Sequence, residues 1–329
     1  MSIDGKTLAR AKAALAEKRK QHGEIYEQRL IDVYAKAPRA RALDREIMET
    51  MSELIGVVMS PGAESKIESI RVRNLELQEE KRSELLRAGF DGNYLDGDFM
   101  CPKCRDTGYI GIKMCSCLLE LYKEEQRKSL SSLLKLGEET FDSFDLSYYD
   151  DTPAPDTGIS PRRSMEIIYE TCVEYARKFS GKSMNLFFIG SPGLGKTFLS
   201  ACIARVVADN GFSVVYDMVT SVFSKFEDVK FNKVDDLEEA RGEVKRYLEC
   251  DLLILDDVGT EMRTEYTVSA LYEIINTRLV NGRKTIVSSN LTLHELRQRY
   301  TEQIASRLEG EYQVLTFRGD DVRRKRNAV

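Results

Sequence analysis

Leu186-Phe187-Phe188-Ile189-Gly190-Ser191-Pro192-Gly193-Leu194-Gly195-Lys196-Thr197 is an apolar run that meets a glycine-rich turn, with an amphipathic segment behind it. Four apolar residues before a turn read as a buried strand. After it, Leu199, Cys202, Ile203, Val206 and Val207 recur on one side of a helix, and Gly211 supplies the stop. A Gly-x-x-x-x-Gly-Lys-Thr turn between strand and helix is the arrangement that cradles nucleotide phosphates. Gly193 and Gly195 let backbone N–H groups turn toward phosphate oxygens without a Cβ in the way. The helix N-terminus adds unsatisfied donors and the positive end of its dipole. Lys196 brings a compact charge to the β/γ-phosphates, and the Thr197 hydroxyl offers a coordination place to Mg²⁺. The competing reading is a chance match in a glycine-rich turn.

Outward from this turn, four more strand-like runs alternate with helical patterns. They are Phe212 to Tyr216, Leu252 to Leu255, Thr285 to Ser288 and Tyr312 to Phe317, with helices such as Thr197 to Ala208 and Tyr266 to Val280 between them. Alternation of this kind predicts an α/β fold, a central parallel sheet flanked by helices.

Leu252-Leu-Ile-Leu-Asp256-Asp257 ends an apolar strand in two carboxylates. Asp256 suits the metal side, and Asp257 suits a base that orients or deprotonates an attacking water. The alternative is a pair of turn acids before Gly259. Asn290 ends the next strand, where it either positions that water or caps a turn. Arg307, in Ser306-Arg307-Leu308, is either a surface ion-pair residue or a group that steadies transition-state charge in a neighbouring subunit. The basic run Arg323-Arg324-Lys325-Arg326 approaches the phosphates, contacts nucleic acid or is simply solvated.

Cys101-Pro-Lys-Cys104 and Cys115-Ser-Cys117 bring four of the seven cysteines together. A C-x₂-C and a C-x-C joined by a glycine-bearing hairpin, Gly108 to Gly111, suit four thiolates in a Zn²⁺ tetrahedron; a redox pair or unligated thiols are the alternatives. Cys172, Cys202 and Cys250 lie in apolar patterns and read as core, and His22 and His294 as ordinary surface or core residues. Residues 1–90 are charged and helix-favouring, with Leu43, Ile47, Met51, Leu54 and Ile55 at helical spacing, and read as a small bundle, a coiled coil or a partner-docking surface. The expected organisation is a helical region over 1–90, a cysteine module with a helix over 91–135, a linker over 136–160, and the nucleotide domain over 161–329. The net charge of −5 argues against a nucleic-acid footprint over the whole surface but leaves room for a local basic track. The sequence carries no apolar run long enough to span a membrane, and clustered rather than paired-off cysteines point to a reducing cytoplasm.

The phosphate turn, the LLILDD strand, the SSN strand end and the SRL helix with its short lid together resemble an AAA+ ATPase. Within that class they are similar to the DnaC/DnaI-type loaders of the bacterial replicative helicase and to IstB-type transposition ATPases, over roughly Phe141 to Arg324. Asp257, where many AAA+ proteins carry glutamate, fits that group. The resemblance implies ATP hydrolysis, Asn290 as sensor, Arg307 as a finger acting in trans, Arg323 as a second sensor, and assembly of ATP-bound copies on single-stranded DNA. It also implies that the helices and the zinc module dock on the replicative helicase. The interleaved Phe223, Lys225, Phe226, Lys230, Phe231 and Lys233 suit either base stacking on a single strand or a helix with core phenylalanines and solvated lysines. Other functions left open are a transposition or phage regulator and an ATP-binding switch with little turnover.

Overall fold

A computed structural model describes residues 3–57, 63–97, 99–134, 139–155 and 158–326. Pro61, Gly62 and Lys135 lie outside the described residues. The chain forms two compact units, one of residues 1–11 and 119–329, the other of residues 12–118.

The larger unit is built on a five-stranded parallel sheet. Its strands are β3 (Asn185–Ile189), β4 (Val214–Met218), β5 (Leu252–Val258), β6 (Lys284–Ser289) and β7 (Tyr312–Thr316), in the order β4-β5-β6-β3-β7. All five strands expected from sequence are present. Near-continuous apolar runs are what a sheet covered on both faces requires, and the side chains divide by parity. Leu186, Phe188, Ile254 and Ile286 pack on one face with α5 (Pro161–Arg177) and α6 (Lys196–Asp209). Phe187, Ile189, Leu253, Leu255 and Val287 pack on the other with α7 (Val219–Lys230), α9 (Glu265–Val280), α10 (Leu293–Arg299) and α11 (Glu302–Gly310). Each such fully buried side chain contributes roughly 1.5–3 kcal/mol relative to exposure. Cys172, Cys202 and Cys250 are buried in these layers. A further helix, α8 (Leu237–Glu249), precedes β5 with Asp236 as its cap.

β3 and β5 are both internal strands, so the turn after β3 and the acids ending β5 come to the same carboxyl edge, a place where parallel α/β sheets collect ligands. Between Leu255 and Val258 the β5–β6 register shifts, which marks a bulge. Asp257 sits in that bulge at φ 58°, a left-handed conformation that a non-glycine residue seldom adopts. Two short 3₁₀ turns, Phe141–Ser143 and Leu146–Tyr148, lie in the segment whose sequence carries turn chemistry.

The smaller unit holds most of α1 (Gly5–Lys36), α2 (Pro38–Val57), α3 (Ala63–Arg87) and the hairpin β1 (Tyr109–Ile110) with β2 (Lys113–Met114). Val33, Ala37, Ala40, Leu85 and Leu95 form its helical core, with Tyr26, Leu30 and Tyr34 packed around them. α4 (Ser116–Leu134) follows the hairpin. Among the described residues no helix is long and apolar enough to cross a membrane.

Candidate functional site

The glycines of the turn adopt conformations closed to other residues. Gly190, Gly193 and Gly195 have φ of 145°, 79° and 89°. A Cβ on Gly193 would stand 1.9 Å from Asp321 Oδ1, and one on Gly190 would stand 2.5 Å from the Phe317 carbonyl. The carbonyl side of the turn is taken up by the protein. Val322 N–H donates to Gly193 O over 3.0 Å, Tyr149 OH donates to Leu194 O over 3.0 Å, and Lys196 Nζ donates to Gly190 O and Ser191 O over 2.6 and 2.8 Å. Such a turn offers its N–H side to an anion. Ser191 and Pro192 are exposed at its rim, while Leu194 is buried against the aromatic linker.

Lys196 also donates to Asn290 Oδ1 over 2.7 Å. Burial pulls its ammonium down to about 8, against the opposing pull of Asp257 and then Asp256. Thr197 Oγ1 donates to Asp256 Oδ2 over 3.0 Å. Asp256 is 4% exposed and accepts two more hydroxyls, from Tyr216 over 2.5 Å and from Ser288. Asp257 is half-buried and accepts from Asn290 Nδ2 over 3.2 Å, while its own N–H donates to Ser288 Oγ over 3.0 Å. Burial raises the Asp257 carboxyl above its ordinary value, helped by the charge of Asp256 and opposed by Lys196, Asn290 and Arg323. A raised carboxyl beside a lysine and a second acid is the electrostatic signature of a functional cleft.

Lys196, Thr197, Asp256, Asp257 and Asn290 therefore form one hydrogen-bonded group spanning three strands. Arg323, exposed at the start of α12 (Val322–Arg326), is near enough for its charge to act on Lys196 and Asp257. Arg307 is elsewhere: on α11, its guanidinium lies over the Tyr272 ring, 5.3 Å from the centroid. Sequence reasoning missed Tyr216 and Ser288, the hydroxyls on Asp256. Ser288 lay in the SSN strand end read only for Asn290, whereas Tyr216 carries no signal beyond a hydroxyl in an apolar strand. It also missed Tyr149 and Val322, which hold carbonyls of the turn from outside.

The cysteine cluster closes within the smaller unit. Cys101, Cys104, Cys115 and Cys117 hold their sulfurs within 4.8 Å of one another. Cys101 and Cys115 are 3.8 Å apart, Cys104 and Cys117 3.4 Å. A Zn–S bond of about 2.3 Å sets tetrahedral sulfur pairs about 3.8 Å apart, so the set fits zinc. The Cys117 backbone N–H lowers the Cys115 thiol, while burial and then the neighbouring thiols raise that of Cys117. Asp106, 5% exposed and at φ 60°, accepts the Met100 and Cys101 N–H groups and braces the first knuckle.

The interleaved phenylalanine–lysine stretch divides. Phe223 and Phe226 are buried in the core, and Lys225 pairs with Asp217 over 3.0 Å, so these three are structural. Phe231 is 54% exposed and faces the Tyr266 ring at 5.8 Å, with Lys233 over Phe231 and Lys230 over Tyr266.

Residues 172–328 match the family model described as IstB-like ATP binding protein. The replicative helicase loader DnaC of Buchnera aphidicola subsp. Baizongia pistaciae is 29% identical over 46% of this chain and 61% of its own length. That of Escherichia coli strain K12 is 25% identical over 41% of this chain and 54% of its own. The chain thus spans little more than half the length of these relatives. Among solved structures, the DnaC helicase loader aligns with a TM-score of 0.45 at 20% identity, over 55% of this chain and 97% of that one. AMPPCP-bound DnaA from Aquifex aeolicus aligns with a TM-score of 0.44 at 23% identity, over 57% and 53%. Likenesses of this size concern the fold alone. The chain is thus similar to the IstB-like ATP binding proteins over residues 172–328 and, over part of its length, to the DnaC helicase loaders.

Proposed function

We propose that this chain is a cytoplasmic ATPase that binds a replicative DNA helicase and loads it onto single-stranded DNA, assembling with other copies of itself when ATP is bound. The observation that carries the nucleotide half of this reading is the hydrogen-bonded group of Lys196, Thr197, Asp256, Asp257 and Asn290 beside a turn whose carbonyls are taken up by Lys196, Tyr149 and Val322. The names of the DnaC relatives support the helicase half.

The residues have distinct tasks. The N–H groups of residues 190–197 and the Lys196 ammonium bind the phosphates, and the three carbonyl oxygens on Nζ keep that ammonium charged and aimed. Thr197 and Asp256 hold Mg²⁺, which when bound neutralises charge on the leaving phosphate. Asp257 accepts a hydrogen bond from the attacking water, and Asn290 keeps that carboxylate and Lys196 in register. Arg323 reads the γ-phosphate from its own subunit, and Arg307 reaches the site of the next. Phe231 and Tyr266, flanked by Lys230 and Lys233, form a stacking platform for single-stranded bases. The cysteine cluster holds a structural Zn²⁺, and the helical unit carries the helicase contact.

Turnover of the full chain, with and without single-stranded DNA, tests this. Asp257→Asn is expected to lower turnover by at least about 100-fold while nucleotide still binds, and Lys196→Ala to abolish nucleotide binding. An Asp257→Asn chain as fast as the parent removes Asp257 from its role. A parent chain that binds ATP without turnover makes the protein a switch. The family model is named for IstB, which favours a transposition regulator as the second reading. Co-purification with a recombinase rather than a helicase would select it.

A further inference from the structure

The turn that follows Asp257 and the end of β5 is held by a buried carboxylate with no part in the site so far. Glu261 is 5% exposed and accepts the Gly259 N–H at Oε2 over 2.8 Å. Its other oxygen accepts the Tyr300 hydroxyl and lies 3.6 Å from Arg299 Nε. Arg299 also donates through Nη2 to the Glu261 carbonyl, so one arginine holds both ends of this residue. Tyr300 is 4% exposed and caps α10.

Asp257 needs such support. At φ 58° it is in a conformation that costs of order 1–3 kcal/mol unless its surroundings over-determine it. The surroundings do so through side chains: Ser288 accepts its N–H, Thr260 donates to its carbonyl over 2.8 Å, and Ser289 donates to the Val258 carbonyl over 2.6 Å. The Gly259 N–H is likewise met by a side chain, and its acceptor is Glu261. Gly259 has φ of 104°, a conformation that favours glycine, and Leu291 packs over its Cα where a Cβ would stand. Glu261 also ties this loop to the end of α10, and α11, which bears Arg307, follows directly.

We infer that Glu261 is a positioning residue for hydrolysis: clamped by Arg299 and Tyr300, it fixes the bulge that aims the Asp257 carboxylate at the attacking water. The inference rests on the ATPase reading above. It assigns Glu261 an effect on the chemical step and none on nucleotide affinity, because phosphate binding belongs to a turn on another strand.

The test compares full-length parent, Asp257→Asn, Glu261→Gln and Tyr300→Phe, measuring ATP turnover and equilibrium affinity for Mg-ATP separately. Glu261→Gln keeps the shape but weakens both the Gly259 contact and the clamp, and it is expected to lower kcat about ten-fold or more with affinity held within about two-fold. Tyr300→Phe keeps the buried ring and is expected to lower kcat by about three-fold, again without loss of affinity. It keeps the inference testable should Glu261→Gln fold poorly. Turnover within about two-fold of the parent in both variants overturns the inference, as does a parallel loss of turnover and affinity. A parent-like Asp257→Asn instead overturns the role of Asp257 itself, so the two failures are told apart.

Discussion

The nucleotide site and the cysteine cluster each gather groups suited to a cation, but hold them by different means. At the phosphate turn the groups are fixed by the fold. Asp256 is buried under three hydroxyls, Lys196 is pinned by three oxygens, and the strands beneath are covered on both faces. At the cluster, four sulfurs stand on two short knuckles and a hairpin of two residues per strand, with Asp106 as the main polar brace. Thiolates packed this closely repel, so such a cluster would draw folding energy from a bound ion, whereas the glycine-rich turn is organised in advance.

The sharpest way to break this contrast is to remove the metal. Chelation, or Cys104→Ser, is expected to strip amide protection from residues 99–118, since structural zinc supplies roughly 10–16 kcal/mol in small metal-folded peptides. Nucleotide affinity should be unchanged. Hydrogen exchange read by mass spectrometry, beside zinc stoichiometry and nucleotide titration, reports all three. Retained protection after complete zinc loss would mean that the module is as self-sufficient as the phosphate turn.

A pH titration sharpens the other side. With the Lys196 ammonium held at about 8 in the folded chain and near 10.5 when unfolded, the unfolded state binds more protons between these values, so stability should rise with pH across that window. The full effect is on the order of 3 kcal/mol at 1.36 kcal/mol per unit. Denaturant unfolding of the nucleotide-free chain should show the stability of the parent rising relative to that of Lys196→Met across the window, because the buried thiols and phenols whose values are raised on folding, such as Cys172, Cys202 and Tyr216, act in the opposite sense in both chains alike.

Ser288→Ala comes next. It removes a hydroxyl that serves both Asp256 Oδ1 and the Asp257 N–H, and it should cost about 1–3 kcal/mol in denaturant unfolding. A Ser288→Ala chain as stable as the parent would show that the acids do not need their buried partners. The smallest expected effect on stability is that of Phe231→Ala, within about 0.5 kcal/mol, since the ring is exposed. Single-stranded DNA binding should weaken in the same variant by about 1–3 kcal/mol if the ring stacks on a base.

Much of the sheet was readable in the chain because its signals are local. Five apolar runs, each followed or preceded by helical spacing, give strand and helix without knowledge of neighbours, and the Gly190 to Thr197 turn is contiguous. The four cysteines were readable for the same reason. The phenylalanine–lysine stretch was not, since burial of Phe223 and Phe226 and exposure of Phe231 depend on which side of α7 meets the sheet. Glu261 gave no signal at all: one acid in a polar loop becomes a clamp only when α10 returns to it.

By itself, then, the sequence determined the α/β class, the glycine-rich turn between strand and helix and the grouping of four cysteines, each written within a short span where chain connectivity fixes distance. Tertiary structure alone decided that Tyr216, Ser288 and Asn290 meet the acids of β5, that Val322 and Tyr149 hold carbonyls of the turn, and that Glu261 is buried against the Gly259 N–H. Those partners come from separate strands and helices. What brings them together is the order β4-β5-β6-β3-β7, set by burying both faces of the sheet at once, a sum over the whole core that no single segment contains.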